Sequence, residues 1–278
     1  MLKMMKHRMR MKSFINLVFL TLALFLGGCT SQEQAEYSKG REQLDAGNYR
    51  LALFHFDRVM KRNPEHRLAL WSAREGYKIT YFEIKDYKRA IEYLQFLILS
   101  SPDSAERVKS QMSIAGIYFD HLQDYPRALL EYGKLLSLSL SNHERMKVKL
   151  SIASAYYHLN QFEQAQSEIR DILKADLAED VRFNVLMLET NIYVSEKNWA
   201  KAIENYKKLA EMFPEKAVSE NILLNLSASY EEEGRFKDAL SVLESLKKIH
   251  PEPDYIELKI NKTTQRSKNA PGAKGFRK

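Results

Sequence analysis

An aromatic residue followed three positions later by alanine recurs six times along the chain, in NYRLA, DYKRA, DYPRA, QFEQA, NWAKA and RFKDA. The aromatics are Tyr49, Tyr87, Tyr125, Phe162, Trp199 and Phe236, spaced 38, 38, 37, 37 and 37 residues apart, and the alanines are Ala52, Ala90, Ala128, Ala165, Ala202 and Ala239. Self-similarity at such a period marks a chain that stacks one supersecondary unit many times, each unit burying its apolar face against its neighbours alone.

Further columns follow from the same alignment. Four residues after each alanine stands a bulky side chain, Phe56, Leu94, Tyr132, Ile169, Tyr206 and Leu243, one helical turn on and so on the same face. Fifteen residues after each aromatic come Pro64, Pro102, Leu140, Leu177, Pro214 and Pro251; the prolines would end a helix. Six residues before the aromatic are Gln43, Tyr81, Phe119, Tyr156, Tyr193 and Tyr230, and nine before it mostly small residues, Gly40, Lys78, Gly116, Ala153, Thr190 and Ser227. Small residues let two helices approach closely, and large ones fill the space beside them. Each unit therefore reads as two amphipathic helices with a tight turn just before the aromatic.

This G-x-x-Y…A-x₃-F…P pattern resembles the tetratricopeptide repeat, TPR, over residues 35–251. The resemblance implies an all-α TPR α-solenoid of about six helix-turn-helix repeats, with a concave surface lined by the first helix of each repeat. Two departures stand out. The period is 37–38 rather than 34, which implies a longer first helix or turn, and the third and fourth repeats lack the terminal proline. Within residues 252–278, the stretch from Asp254 to about Arg266 is expected to form a capping helix with Tyr255, Ile256, Leu258 and Ile260 partly inward. A disordered basic tail would follow it.

The residues five and four before each aromatic are expected on the concave surface: Leu44-Asp45, Phe82-Glu83, Asp120-His121, Tyr157-His158, Val194-Ser195 and Glu231-Glu232. The candidate groove is Tyr37, Phe82, Glu83, Asp120, His121, Tyr157 and His158. No column of lysine and asparagine occupies these two positions, unlike the TPRs that clamp the C-terminal carboxylates of chaperones. His121 and His158 fall in one column of adjacent repeats, on helices roughly 10 Å apart, too far for two imidazoles to share a metal held at about 2.1 Å.

The N-terminus carries a different signal. Lys3, Lys6, Arg8, Arg10 and Lys12 precede an apolar run from Phe14 to Leu26, then Gly27-Gly28 and the one cysteine of the chain, Cys29. These are the zones of a secretory signal peptide, and a run of 13 residues is short of the roughly 17 to 25 that span a bilayer. Leu26-Gly27-Gly28-Cys29 resembles the bacterial lipobox, which implies removal of residues 1–28 and acylation of Cys29, with residues 29–34 as a short linker. Two or more acyl chains suffice for stable anchoring. The alternative is an ordinary cleavage site with a small residue beside it. Thr30 after the cysteine resembles the pattern sorted to the outer membrane. Met9 or Met11 would serve as well as Met1 as the start.

The net charge of +7 does not point to nucleic acid. The first 28 residues hold five basic side chains and no acid, and residues 252–278 hold seven against three, so the body between them is close to neutral. One cysteine excludes an internal disulfide framework and a multi-cysteine metal site. No glycine-rich phosphate loop, H-E-x-x-H motif or nucleophile-base set is present, so neither catalysis nor a cofactor nor a metal is expected.

A lipobox followed almost at once by TPR repeats resembles two groups of bacterial envelope lipoproteins. One is the BamD-like proteins that assist outer-membrane β-barrel assembly; the other is the pilotins that help type IV pilus secretins reach the outer membrane. The resemblance implies a non-enzymatic scaffold on the periplasmic face of the outer membrane, held by lipid on Cys29 and binding envelope proteins through the concave TPR surface. Recruitment of peptidoglycan enzymes is a further alternative.

Overall fold

The computed structural model describes residues 32–270; the expected signal peptide, Cys29 and the last eight residues lie outside them. The fold is all-α and TPR-like, with no β-strand among the described residues. It divides at Ser113/Ile114 into two compact units.

The first unit contains α1 (Gln32–Asp45) and α2 (Tyr49–Arg62) of repeat 1, and α3 (Arg67–Lys78), a π-helical turn (Ile79–Glu83) and α4 (Tyr87–Ser100) of repeat 2. Helix α5 (Ser104–Gly116) carries the boundary and runs into a second π turn (Ile117–His121). The second unit continues with α6 (Tyr125–Leu136), α7 (Asn142–His158), α8 (Phe162–Ile172), α9 (Glu179–Ser195) and α10 (Trp199–Met212). A single-turn helix α11 (Lys216–Ser219), α12 (Ile222–Glu232), α13 (Phe236–Lys247) and α14 (Pro253–Asn269) complete it. Within each unit successive helices pack in sequence, and the first helix α7 also meets the first helix α9. Helix α1 begins at Gln32, so residues 32–34, expected as linker, are helical.

Every repeat aromatic is the first residue of its second helix. In repeats 2, 3 and 5 the residue before it supplies the cap: the carboxylates of Asp86 and Asp124 and the amide oxygen of Asn198 accept from the backbone N–H three residues on, whereas Asn48, Gln161 and Arg235 make no such bond. The residue before that has a left-handed backbone in all six repeats, at Gly47, Lys85, Gln123, Asn160, Lys197 and Gly234, with φ between 51° and 80°. This reverses the chain in three residues, and four of the six positions bear the strain without glycine. All six repeat alanines are completely buried, and the bulky column from Phe56 to Leu243 is at most 5% exposed. Burying each such large apolar side chain contributes about 1.5–3 kcal/mol.

The two 38-residue spacings are the two that contain π turns. In repeats 1, 4, 5 and 6 the N–H of the capping residue (Asn48, Gln161, Asn198, Arg235) bonds to the carbonyl five residues back (Gln43, Tyr156, Tyr193, Tyr230). In repeat 3 the N–H of Asp124 reaches six back, to Tyr118, because Leu122 already bonds to Ile117 in the wider π turn. The extra residue is thus a bulge within the first helix, and every position before it is displaced by one relative to the aromatic. The small-residue column is shifted in both repeats. In repeat 2 Lys78 is exposed and the close approach falls two positions earlier, at buried Gly76, where a Cβ would stand 2.5 Å from the Tyr93 ring. In repeat 3 Ala115, not Gly116, is fully buried. Gly40, in a repeat without a π turn, does meet the Phe56 ring as expected.

Helix α14 caps the second unit over Pro253–Asn269, with Ile256, Ile260 and Thr263 inward. Tyr255 and Leu258, expected inward, are exposed, because the i, i+4, i+7 stripe of Ile256 puts them on the other side.

Candidate functional site

In the second unit a groove of about 560 Å³ runs over three successive first helices. Phe119 and Asp120 come from the π turn; Leu150, Ser151, Ser154, Tyr157 and His158 from α7; and Asn184, Met187, Leu188 and Asn191 from α9, with Tyr132 of α6 reaching in from behind. Helical geometry places these α7 and α9 residues at intervals of three, four and seven, on one face each.

Of the residues expected in the groove, Asp120, Tyr157 and His158 are brought together here, and His121 is not among the lining residues. The π bulge explains the exclusion. With one residue inserted, the position equivalent to His158 in repeat 3 is Asp120, and that equivalent to Tyr157 is Phe119. His121, aligned with His158 by counting from the aromatic, belongs to the turn side. The His158 ring stacks on Tyr125 at 4.7 Å with an interplanar angle of 6°, and meets Phe119 and Tyr157 edge-on at 5.4 Å each. It is a wall of the groove, held by three rings. The Tyr157 hydroxyl lies 3.3 Å from the Ser195 hydroxyl.

The chemistry is that of a neutral, amide-bearing surface. Asp120 is the one carboxylate among the lining residues, and no Lys or Arg is among them. Burial, reinforced by the charge of Asp120, pushes the Tyr132 phenol up. Burial and the neighbouring Tyr157 raise Tyr206 on α10 to about 12. Both stay protonated at neutral pH. Asn184 is exposed and Asn191 half-buried, and neither side chain has a hydrogen-bond partner among the described residues. Ser154 gives its hydroxyl to the Leu150 carbonyl.

A smaller cleft of about 390 Å³ follows the same positions in repeat 6, with Asn221 at the N-cap of α12, Leu224, Asn225, Ala228 and Glu231 on α12, and Tyr255 and Lys259 on α14. Here the far edge is already occupied. Arg266 donates to Glu231 at 2.6 Å and to Glu232 at 2.9 Å, and Thr263 donates to Glu231 at 2.6 Å. The Glu231-Glu232 pair therefore binds the chain's own last helix.

The remaining candidates lie in the first unit. Tyr37 packs on Phe56 and Trp71 with ring centroids 5.7 and 6.0 Å away. Phe82, 61% exposed, sits edge-on to Tyr81 and Tyr77. Glu83 accepts a 2.9 Å hydrogen bond from the Tyr49 hydroxyl, which ties the π turn of repeat 2 to the start of α2. Among the described residues no group of three or more His, Cys, Asp or Glu side chains is placed to hold a metal ion, and no helix is long and apolar enough to cross a membrane.

Sequence reasoning missed Ser151, Ser154, Asn184 and Asn191. Their signal was available at positions fifteen, eleven and eight before the aromatics, on the face that α7 and α9 share. Attention to the two positions nearest the turn passed over it.

Family models described as tetratricopeptide repeat match residues 37–73 and 193–259. Among solved structures, a tetratricopeptide repeat protein from Parabacteroides merdae ATCC 43184 is 15% identical, with 85% of this chain and 88% of that one covered and a TM-score of 0.55. PilW, a type IV pilus biogenesis factor, is 14% identical, with 82% and 100% covered and a TM-score of 0.53. The apo form of RapI is 15% identical, with 86% and 96% covered and a TM-score of 0.50. At these identities the likeness shows the fold. No curated protein matches the chain.

Proposed function

We propose that this TPR-repeat chain is a non-catalytic scaffold of the bacterial cell envelope, anchored by lipid on Cys29, whose groove over repeats 3–5 binds a segment of a partner protein. The observation that carries this reading is the pair of unpartnered amides, Asn184 and Asn191, beside the Tyr157 and His158 rings in a groove without cations. Asparagine presents both a donor and acceptors, which suits the alternating N–H and C=O groups of an extended backbone. Rings and aliphatic side chains beside them give the apolar contact that peptide recognition uses for specificity. With no Lys or Arg in the lining, the groove selects against acidic segments and carboxylate tails. Asp120 at its end favours a cation on the partner.

Support of outer-membrane protein assembly in the manner of BamD is the most specific form of the reading. The second form, a pilotin-like role in secretin assembly, draws on the similarity of fold to PilW, which is a type IV pilus biogenesis factor. Recruitment of cell-wall enzymes is the third. The identity of the protein that copurifies with the full chain from its host separates them, and Asn184→Ala with Asn191→Ala should lower that yield at least tenfold at unchanged helix content. An undiminished yield would overturn the groove assignment. Anchoring is tested by Cys29→Ser, which should shift the chain out of the membrane fraction; unchanged fractionation and gel mobility would refute it.

A further inference from the structure

The second helix of repeat 1 is unlike the other second helices. It buries Ala52, Leu53, Phe56 and Val59, and turns Leu51, Phe54, Arg58, Lys61 and Arg62 to solvent within an arc of ~100°. Leu51 and Phe54 are each 53% exposed, three residues apart. Elsewhere on the described second helices large apolar side chains surface singly, as Leu99, Leu130 and Met212 do. The Arg58 guanidinium covers the Phe54 ring at 5.6 Å. Lys61 and Arg62 form no ion pair among the described residues.

Of the three cations only Arg58 has a carboxylate partner, the buried Glu36. Asp57 is turned aside into contacts with Arg89 at 2.7 Å and the Tyr93 hydroxyl at 2.6 Å. Glu36, 6% exposed, lies beneath, held by His55 at 2.8 Å and Arg58 at 3.3 Å. Helix α14 also exposes an apolar pair, Tyr255 and Leu258, but there the acidic Asp254 is exposed beside Tyr255, and Lys259 lies over the Tyr255 ring at 5.4 Å. The α2 face joins two exposed apolar side chains to two unpaired cations, Lys61 and Arg62, the composition that seats a helix at the boundary between headgroups and acyl chains.

Its place in the chain fits the same occupant. Helix α1 starts at Gln32, six residues after the apolar run ends at Leu26. From Cys29 to Gln32 is three residues, which extended reach ~10 Å, so an anchor at Cys29 keeps repeat 1 within about that distance of the bilayer. We propose that the outward face of α2 docks on an anionic phospholipid surface, with Leu51 and Phe54 set among the lipids and Arg58, Lys61 and Arg62 against the headgroups. The inference rests on the anchoring reading for its geometry. It adds an orientation within repeat 1: α2 is its second helix, so the face that binds lipid is not presented by the first helix α1.

The test is radical footprinting of the full lipidated chain on vesicles of phosphatidylcholine alone and of phosphatidylcholine with phosphatidylglycerol. Each Lys or Arg near an anionic surface strengthens attachment about fivefold. Labelling of Leu51 and Phe54 should therefore fall at least about fivefold on the anionic vesicles relative to the neutral ones, with Leu130 and Leu258 unchanged. Lys61→Glu with Arg62→Glu should abolish the protection while the chain still floats with both vesicles. Equal labelling on the two vesicles would overturn the proposal. So would protection that grows with protein concentration in the absence of lipid, which would assign the face to a second copy of the chain. Failure of the chain to float with neutral vesicles would refute anchoring instead, leaving protection on the anionic vesicles to decide for or against the α2 face.

Discussion

Repeats 2 and 3 and repeats 4 and 5 are built from the same columns, yet the first pair spends one more residue per repeat. The structure absorbs that residue as a π turn at Ile79–Glu83 and Ile117–His121, whereas α7 and α9 run regularly into their turns. The consequence is local and directional. Downstream of the bulge the turn, cap and second helix are superposable in role; upstream, the face of the first helix is displaced by one position. A π bulge thus changes which side chains reach the groove without changing the stack.

Deletions give the largest expected contrast. Removing His121 from repeat 3 should convert the π turn to α-helix and leave a cooperatively folding chain. Removing His158 from repeat 4 has no bulge to consume, so it would rotate part of α7 away from Val148, Ile152 and Ala153, its buried contacts. Displacing two such side chains should cost about 3–6 kcal/mol. Urea unfolding of the two deletants decides, and equal losses would deny the bulge.

Glycine substitutions come next. Gly76→Ala should destabilise by about 1–3 kcal/mol, because its Cβ would stand 2.5 Å from the Tyr93 ring, which Asp57 holds in place. Gly116→Ala should be neutral or stabilise by up to about 1 kcal/mol, since the nearest atom lies 3.8 Å away. Thermal melts of both variants report the sign. A reversed order would return the close approach to the position nine before the aromatic.

The ion pairs between successive first helices sharpen the comparison by pH. Arg74 grips Glu106 through two nitrogens at 2.6 and 2.8 Å, and this hydrogen bonding, helped by Ser101, holds the Glu106 carboxyl below its usual range. A depressed folded-state value stabilises above the unfolded carboxylate range and is lost as pH falls through the folded one. Glu106→Gln should therefore cost about 1 kcal/mol at pH ~7, discounted for partial exposure, and converge with the parent in acid. Lys147 and Asp180, which join the first helices of repeats 4 and 5 from other positions, are about half exposed at 3.0 Å, and Lys147→Ala should leave the urea midpoint unmoved.

The smallest effect concerns position fifteen before the aromatic. In repeat 5 it is Asn184, exposed in the groove; in repeat 2 it is Ser72, which the bulge turns into register with the buried Val185, so that it too is fully buried and its hydroxyl finds no partner among the described residues. Ser72→Ala should stabilise by about 0.5–1 kcal/mol in a urea titration, as an orphaned hydroxyl is removed and helix propensity improves.

The repeat alignment made the architecture legible because helix starts and buried columns are local consequences of one pattern: Tyr49 through Phe236 all begin helices, and Ala52 through Ala239 are all buried. The length difference was legible too, as 38 against 37, but not its location. A bulge is chosen by the fit of α3 and α5 to their neighbours, and its i to i+5 bonds have no residue signature. That is why His121 was aligned with His158 and Lys78 with the small column. The left-handed turn residues were hidden for the opposite reason. Only Gly47 and Gly234 advertise them, while Lys85, Gln123 and Lys197 adopt the conformation because the packed helices on either side impose it.

The most direct measurement of the central claim is site-specific photocrosslinking in the host. A photoreactive residue at His158, Asn184 or Asn191 should give one shared adduct with a single partner protein, and one at Leu130, exposed on the second helix α6, should give none of it. The same adduct from Leu130, or none from the three groove positions, would contradict the account.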